Sequence, residues 1–205
     1  MSQEIKVILF DLGNVLIDFD FSIAAKRIAY FCEKSTKEII ELFLSSNITS
    51  LFEENKISPD DFFAQLKNML DLKISYAGFI PIWNEIFFLS AKNRSVYSLA
   101  NNLRDNYRIA VLSNINILHY DYVKEHFPIF SIFNEVFASC KMGLIKPDPI
   151  IYKRVLEALN VKPEEVFYTD DREELVKSAA ALNINSFVFT DFKKLKSDLI
   201  NLGVI

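Results

Sequence analysis

Hydrophobic and polar positions divide the chain into stretches with different periods. A short apolar run at 5–10 predicts a buried parallel strand that ends at Asp11. Apolar residues in 21–89 recur at helical spacing, which predicts helices and no strand. Ser58 and Pro59 are typical of an N-cap and a first helical residue, so one of these helices begins there.

Helices and strands alternate in the rest of the chain. The pattern predicts strands at 107–112, 135–138, 166–169 and 186–189. It predicts helices at 95–106, 119–126, 173–182 and 191–202, with another beginning at Asp148-Pro149. Such alternation favours a parallel sheet wound by right-handed crossovers. We therefore predict an α/β fold: a Rossmann-like parallel sheet core at 1–17 and 90–205, with an inserted α-helical cap domain at 18–89.

Composition narrows the class of partner. The net charge is −4, and the 23 lysines and arginines are not clustered, which argues against a nucleic-acid or anionic-membrane surface. No apolar stretch reaches the roughly 18 residues of a membrane span. Cys32 and Cys140 lack the spacing of a metal or redox motif. We expect a cytoplasmic protein with two reduced cysteines, and the oligomeric state stays open.

Side chains that could bind a cation or a phosphate, or act as a nucleophile, follow the predicted strands. Because ligands bind beyond the carboxyl ends of parallel strands, these residues are predicted to share one edge of the sheet. Crowded carboxylates either share a proton or bind a cation, and a hard cation such as Mg²⁺ also bridges phosphate. A carboxylate can also attack phosphorus or carbon. The residues in question are Asp11, Gly13, Ser113, Asn114, Lys146, Asp170 and Asp171.

Four segments resemble, in order, the motifs of the haloacid dehalogenase superfamily: Phe10-Asp11-Leu12-Gly13-Asn14-Val15-Leu16, Leu112-Ser113-Asn114, Lys146-Pro147-Asp148 with Gly143 upstream, and Asp170-Asp171. The resemblance implies a hydrolase with a mobile helical cap, in which Asp11 is the nucleophile. It implies Mg²⁺ held by Asp11, the Gly13 carbonyl, Asp170 and Asp171. It also implies that Ser113, Asn114 and Lys146 bind the substrate, and that Lys146 is catalytic. The expected substrate is a small phosphorylated metabolite, cleaved through an aspartyl-phosphate intermediate.

Gly13 departs from the pattern of most phosphatases of that superfamily, which carry a general acid and base, Asp, at this position. Losing such a group typically costs about 10²–10⁴-fold in rate. One interpretation is a substrate with a good leaving group, such as an anomeric sugar phosphate or an acyl phosphate. Asp18-Phe19-Asp20-Phe21, the helix start at Ile57-Ser58, and His119 soon after Leu112-Ser113-Asn114 make the chain similar to bacterial glucose-1-phosphate phosphatases. In that case the rate depends steeply on leaving-group pKa. A shallow dependence would direct attention to Asp18, Asp20 or His119 as the acid.

Two other interpretations stay open. In a 2-haloacid dehalogenase Asp11 attacks carbon without a metal, but that branch usually has an aromatic residue at the position of Gly13. A non-catalytic ligand-binding relative is the third possibility. Leu175 stands where relatives often carry Asn or Asp, which leaves Lys146 or the metal with one polar support fewer.

Overall fold

A five-stranded parallel sheet forms the centre of the computed structural model, which describes residues 4–205 apart from the side chain of Ser45. The five strands are β1 (Val7–Phe10), β4 (Arg108–Ser113), β5 (Glu135–Ala138), β6 (Val166–Asp170) and β7 (Asn185–Val188). Across the sheet their order is β5-β4-β1-β6-β7. The predicted α/β parallel sheet is therefore confirmed.

Helices surround this sheet and fill the segment between the first two of its strands. The segment holds α1 (Phe21–Ile28), α2 (Thr36–Ser45), α3 (Ile48–Glu53), α4 (Pro59–Leu70) and α5 (Tyr76–Asn84), which we call the helical segment. The remaining helices are α6 (Ala91–Leu103), α7 (Ile117–His126), α8 (Ser139–Met142), α9 (Pro149–Leu159), α10 (Glu173–Ala180) and α11 (Phe192–Asn201). Short 3₁₀ turns occur at Ala29–Phe31, Pro128–Ile132 and Pro163–Glu165.

Both faces of the sheet are buried. Alternate residues of β1 point to opposite sides, so Ile8 and Phe10 join one apolar cluster while Val7 and Leu9 join another. Helices α6 and α11 cover the first face, and α9 and α10 cover the second. The helical segment has its own apolar cluster, which includes Trp83. Covering both faces explains why β1 is apolar throughout.

The expectation of no strand within 21–89 is wrong at one place. Asp18–Phe19 (β2) and Phe87–Phe88 (β3) form a two-stranded antiparallel ribbon. The ribbon lies where the chain enters and leaves the helical segment. Two residues per strand are too few to establish an alternating pattern, so periodicity could not reveal this ribbon.

Ser58 caps α4 as predicted, with its hydroxyl accepting a hydrogen bond from the Asp61 N–H.

The proposed division into a core and an inserted cap stays a prediction, and residues 1–3 of that core lie outside the described residues. None of the helices described in residues 4–205 combines the length and the hydropathy that a membrane crossing needs.

Candidate functional site

Three neighbouring strands bring their carboxyl ends to one edge of the sheet. Asp11 directly follows β1, Ser113 ends β4 and Asp170 ends β6. Because β1 pairs with both β4 and β6, these three residues lie side by side. The Asp11 N–H donates to the Thr169 carbonyl at 2.9 Å, which holds Asp11 against β6. The edge predicted from the sequence is therefore formed.

Lys146 is fully buried and joins two of the carboxylates. Its ammonium donates to Asp11 Oδ1 at 2.6 Å, to Asp170 Oδ2 at 2.7 Å and to the Leu112 carbonyl at 3.0 Å. A buried ammonium is tolerated only when it is paired in this way. Burial opposes the charge, but Asp11 and Asp170 outweigh that effect and raise the pKa of Lys146. All three N–H donors are engaged, so this lysine holds Asp11 in place.

Asn114 fixes the loop that carries Lys146. The Asn114 amide donates to the Lys146 carbonyl at 2.8 Å and accepts from the Lys146 N–H at 2.8 Å. Both polar atoms of Asn114 are thus committed to the backbone of one residue. Its predicted contact with substrate stays a prediction, while these bonds give it a positioning role.

Asp171 completes a group of three carboxylates. Oxygens of Asp11, Asp170 and Asp171 lie within 4.8 Å of one another. Asn14 donates to Asp171 Oδ2 at 2.9 Å, and the Arg172 N–H donates to Asp170 Oδ1 at 3.0 Å. Within residues 4–205, Lys146 is the cation that forms ion pairs with the group. One ammonium beside three carboxyl groups leaves an excess of negative charge when all three are ionised.

The electrostatics of this group fit a divalent cation. Burial raises the pKa of Asp11 to about 7; Lys146 opposes the shift, and Asp170 and Asp171 add to it. Burial also raises the pKa of Asp171. Hard oxygen ligands carrying excess negative charge are what Mg²⁺ prefers. The role of the Gly13 carbonyl as a further ligand stays a prediction.

Tyr168 was not predicted, yet its hydroxyl donates a hydrogen bond to Asp170 Oδ2. Tyr168 and Asp170 are two residues apart on β6 and share a face of the strand, so the alternation of side chains along a strand was the signal that could have identified Tyr168.

Leu175 is buried and lines the site. Because Asp11, Asp170 and Leu112 already satisfy Lys146, the apolar residue at 175 does not leave the ammonium unpaired.

Phe19 occupies the space beside Gly13. A Cβ added to Gly13 would lie 2.8 Å from Phe19 Cε1, which is closer than real Cβ atoms approach. The Phe19 ring is itself held by edge-on and tilted contacts to Phe21 and Phe87, with centroid distances of 5.5 and 6.1 Å. The room that a longer side chain would need at position 13 is therefore filled by an aromatic ring.

A cavity of about 450 Å³ lies between this edge of the sheet and the helical segment. Asp11, Ser113 and Lys146 are among the residues that line its sheet side. The opposite side carries the apolar side chains of Phe43 and Leu44 together with polar residues. The polar residues of this side that line the cavity lie in α3 and in the turn before it: Ser46, Thr49, Ser50 and Glu53. A small organic group attached to a phosphate would fit between the two sides.

His119 connects the sheet region to the helical segment. Its Nδ1 accepts from the Asn116 amide at 3.0 Å, and its Nε2–H donates to the Trp83 carbonyl at 3.0 Å. Burial lowers the pKa of His119 to about 4, so the imidazole is neutral near pH 7. With both nitrogens engaged, His119 is a structural residue of the cavity wall.

A protein-family model described as haloacid dehalogenase-like hydrolase matches residues 5–183. The chain is 24% identical over 189 residues to a D-ribitol-5-phosphate phosphatase of Bacteroides thetaiotaomicron, covering 89% of this chain and 91% of the relative. It is also 24% identical over 192 residues to a sesquiterpene phosphatase of Aspergillus oryzae, covering 93% of each.

A HAD family enzyme from Bacteroides thetaiotaomicron, crystallised with magnesium and inorganic phosphate, has a similar structure. The TM-score is 0.80 at 28% sequence identity, and the alignment covers 92% of this chain and 96% of that one.

Proposed function

Since its match to the family model spans most of its length, the chain belongs to the haloacid dehalogenase-like hydrolases, and we propose that it is a Mg²⁺-dependent phosphatase. Its substrate is a small phosphorylated metabolite, with a sugar phosphate as one candidate, and the reaction passes through an aspartyl phosphate on Asp11. The observation that carries this proposal is the cluster of Asp11, Asp170 and Asp171 around the end of β1, beside the ammonium of Lys146.

Asp11, Asp170 and Asp171 are the residues that would hold the cation, with the Gly13 carbonyl as a further ligand. Bound Mg²⁺ supplies charge neutralisation between these carboxylates and the phosphoryl oxygens. Support for this choice comes from the charge of the cluster and from the similar enzyme that was crystallised with magnesium and phosphate.

The chain's own residues account for the phosphoryl transfer. Asp11 uses the carboxylate oxygen that Lys146 does not bind to attack phosphorus, while the ion pair holds the carboxylate in orientation. Ser113 lines the cavity at the end of β4, where its hydroxyl would donate to a phosphoryl oxygen. Water then cleaves the phosphoryl–Asp11 bond and releases inorganic phosphate.

The organic part of the substrate would lie against the helical segment. The Phe43 ring and the hydroxyls of Ser46, Thr49 and Ser50 on that side suit a small group with both apolar and polar surface. The two relatives named for phosphatase activity act on a polyol phosphate and on sesquiterpenes, so they support the class and not one compound.

A panel of sugar, polyol, nucleotide, acyl and aryl phosphates, assayed for phosphate release with Mg²⁺ and with excess chelator, tests the proposal. We expect release only with the cation. Asp11→Asn should abolish turnover and weaken cation binding, because it removes the nucleophile and one charged ligand. Asp105→Asn, an exposed residue after α6, is the matched control and should keep full activity.

Metal-independent halide release from 2-haloacids by the same preparation would instead support the dehalogenase interpretation. Binding of a phosphorylated ligand without turnover of any ester would support the non-catalytic one.

A further inference from the structure

An alkoxide is a poor leaving group, so hydrolysis of an alkyl phosphate calls for a general acid. The position two residues beyond Asp11 cannot provide it, because that residue is Gly13 and the Phe19 ring fills the adjacent space. If the proposed phosphatase reaction is correct, on which this inference rests, the proton comes from another residue that lines the cavity.

The three residues that the sequence offers as alternative acids, Asp18, Asp20 and His119, already have hydrogen-bond partners. Asp18 accepts from Lys92 at 2.7 Å and from Asn93 at 3.1 Å. Asp20 caps α1 by accepting from the N–H and hydroxyl of Ser22, each at 2.7 Å.

These hydrogen bonds help keep the pKa of both carboxyls below the ordinary range, although burial of Asp18 acts in the opposite direction. His119 is neutral, with both nitrogens bonded. Each of the three would have to break these contacts before it could serve as the acid.

Glu53 differs from them in its surroundings. It ends α3, is half-buried and lines the cavity that also contains Asp11 and Lys146. Its carboxylate forms no hydrogen bond or ion pair with any residue in the described part of the chain. The adjacent Glu54, by contrast, is paired with Lys56 at 3.0 Å. An unpaired carboxyl in a substrate cavity is free to bond to substrate or water.

The end of α3 lies against the loop that leads to Lys146. A Cβ on Gly143 would be 4.0 Å from the Glu54 carbonyl, and α3 packs against α8. This contact fixes the end of α3 beside the loop to Lys146 and brings Glu53, as part of the helical segment, into the cavity that Asp11 also lines. A leaving group bound between the two sides would have its oxygen directed away from Asp11, since attack and departure at phosphorus are in line.

Burial of Glu53, and not the charges around it, favours a proton donor that works near neutral pH. Burial raises the pKa of Glu53 to about 7, whereas Arg172 and Lys146 lower it and Glu54 raises it. Cys140 on α8 is uncharged, because burial raises the pKa of that thiol to about 11. An acid with a pKa near the working pH is efficient in both directions of proton transfer.

We infer that Glu53 is the general acid and base of this hydrolase, supplied by the helical segment in place of the residue absent at Gly13. As Asp11 bonds to phosphorus and the ester P–O bond breaks, protonated Glu53 gives its proton to the leaving oxygen. The resulting carboxylate then accepts a proton from the water that attacks the phosphoryl group. Phosphate leaves Asp11, and Glu53 is protonated again.

Glu53→Gln removes the proton but keeps the shape, so its effect should depend on the leaving group. We expect kcat/KM with the best alkyl phosphate of the panel to fall by about 10²–10⁴-fold. With p-nitrophenyl phosphate, whose leaving group needs little protonation, the loss should be much smaller. A residue that only binds substrate would lower both values alike or act through KM. Glu54→Gln is the matched control and should leave both substrates near the wild-type rate.

The pH profile supplies a readout that a structural role would not change. Wild-type kcat/KM for the alkyl ester should pass through a maximum near pH 7 and decline on the alkaline side, because the reaction needs ionised Asp11 together with protonated Glu53. That decline should disappear in Glu53→Gln and persist in Glu53→Asp, which keeps a shortened carboxyl.

Two results separate failure of this inference from failure of the proposed function. If the wild type with Mg²⁺ hydrolyses both esters and Glu53→Gln keeps the alkyl rate, the role of Glu53 is wrong and the phosphatase stands. If the wild type hydrolyses neither ester, both are wrong. Should Glu53→Gln fail to fold, the wild-type series of kcat/KM against leaving-group pKa decides: a shallow slope supports an enzymic acid, and a steep slope overturns it.

Discussion

The two sides of the cavity differ in how completely their polar groups are hydrogen-bonded. On the sheet side, Lys146 has three partners and Asn114 has both polar atoms engaged. On the helical side, the Ser46 hydroxyl is buried without a partner in the described residues, and Glu53 is likewise unpaired among them. The sheet side is therefore preorganised for one reaction, and the helical side keeps polar groups available for the substrate.

Lys146→Met should have the largest effect on stability, because it removes the cation that pairs with Asp11 and Asp170 on the sheet side. Removing one partner from a buried ion pair costs about 3–5 kcal/mol, because the remaining carboxylates keep uncompensated charge. We expect a large loss of stability in denaturant titrations and loss of turnover. The deficit should grow as the pH rises above about 7, because Lys146 lowers the pKa of Asp11. Without Lys146 the carboxyl of the folded variant ionises at a higher pH, so the variant goes on losing stability after the wild type has levelled off. Lys177→Met, in an exposed pair with Glu173, should change little; equal effects would contradict the account.

Gly13→Asp tests whether position 13 is closed. The added side chain has to displace the Phe19 ring, and overpacking of this kind costs about 1–3 kcal/mol. We expect a less stable protein with lower activity, measured by thermal unfolding and by hydrolysis of alkyl phosphates. In a Phe19→Ala background, Gly13→Asp should cost less stability than it does in the wild type, because the ring that it displaces is gone. A stable, more active single variant would show that the ring moves aside easily.

Tyr168→Phe removes the hydroxyl that bonds to Asp170 and leaves the ring in place. Loss of one hydrogen bond typically costs about 0.5–1.5 kcal/mol. Groups that orient metal ligands commonly change metal affinity by about 10–100-fold, so Mg²⁺ binding measured by calorimetry should weaken more than folding. Tyr107→Phe is the matched control, since its hydroxyl bonds to the Val204 carbonyl and not to a carboxylate. Equal loss of Mg²⁺ affinity in both variants would argue against the role of Tyr168.

Ser46→Ala should have the smallest effect on stability. The Ser46 hydroxyl already lacks a partner in the described residues, so its removal relieves a buried polar group and the melting temperature should stay the same or rise slightly. If the hydroxyl bonds to substrate, KM rises for hydroxylated phosphates and kcat changes little. A large drop in stability would mean that the helical side is as tightly paired as the sheet side.

The sequence predicts the sheet side of the cavity in more detail than the helical side. Apolar runs ending in Asp11, Ser113 and Asp170 were sufficient to predict the sheet and its active edge, because parallel strands align their carboxyl ends. The position of Lys146 followed from motif order. Its three partners depend on packing across the sheet, which periodicity does not encode.

The helical side could be predicted only as a set of helices. Which face of α3 meets the cavity depends on how the helices pack, so Glu53 was indistinguishable from Glu54 in the sequence. The contact between Phe19 and Gly13 depends on the short ribbon, which two-residue strands do not reveal. The division at residues 18 and 89 and the cytoplasmic location stay predictions.

Trapping the covalent intermediate is the most direct test of the proposed reaction at Asp11. The enzyme is mixed with Mg²⁺ and a saturating substrate from the panel, quenched in acid during turnover, digested and examined by peptide mass spectrometry. The account predicts a phosphoryl group on the peptide that contains Asp11, absent in Asp11→Asn and absent when the cation is chelated. Turnover of the phosphate ester with full activity in Asp11→Asn, or a phosphoryl group trapped on another residue, would contradict it.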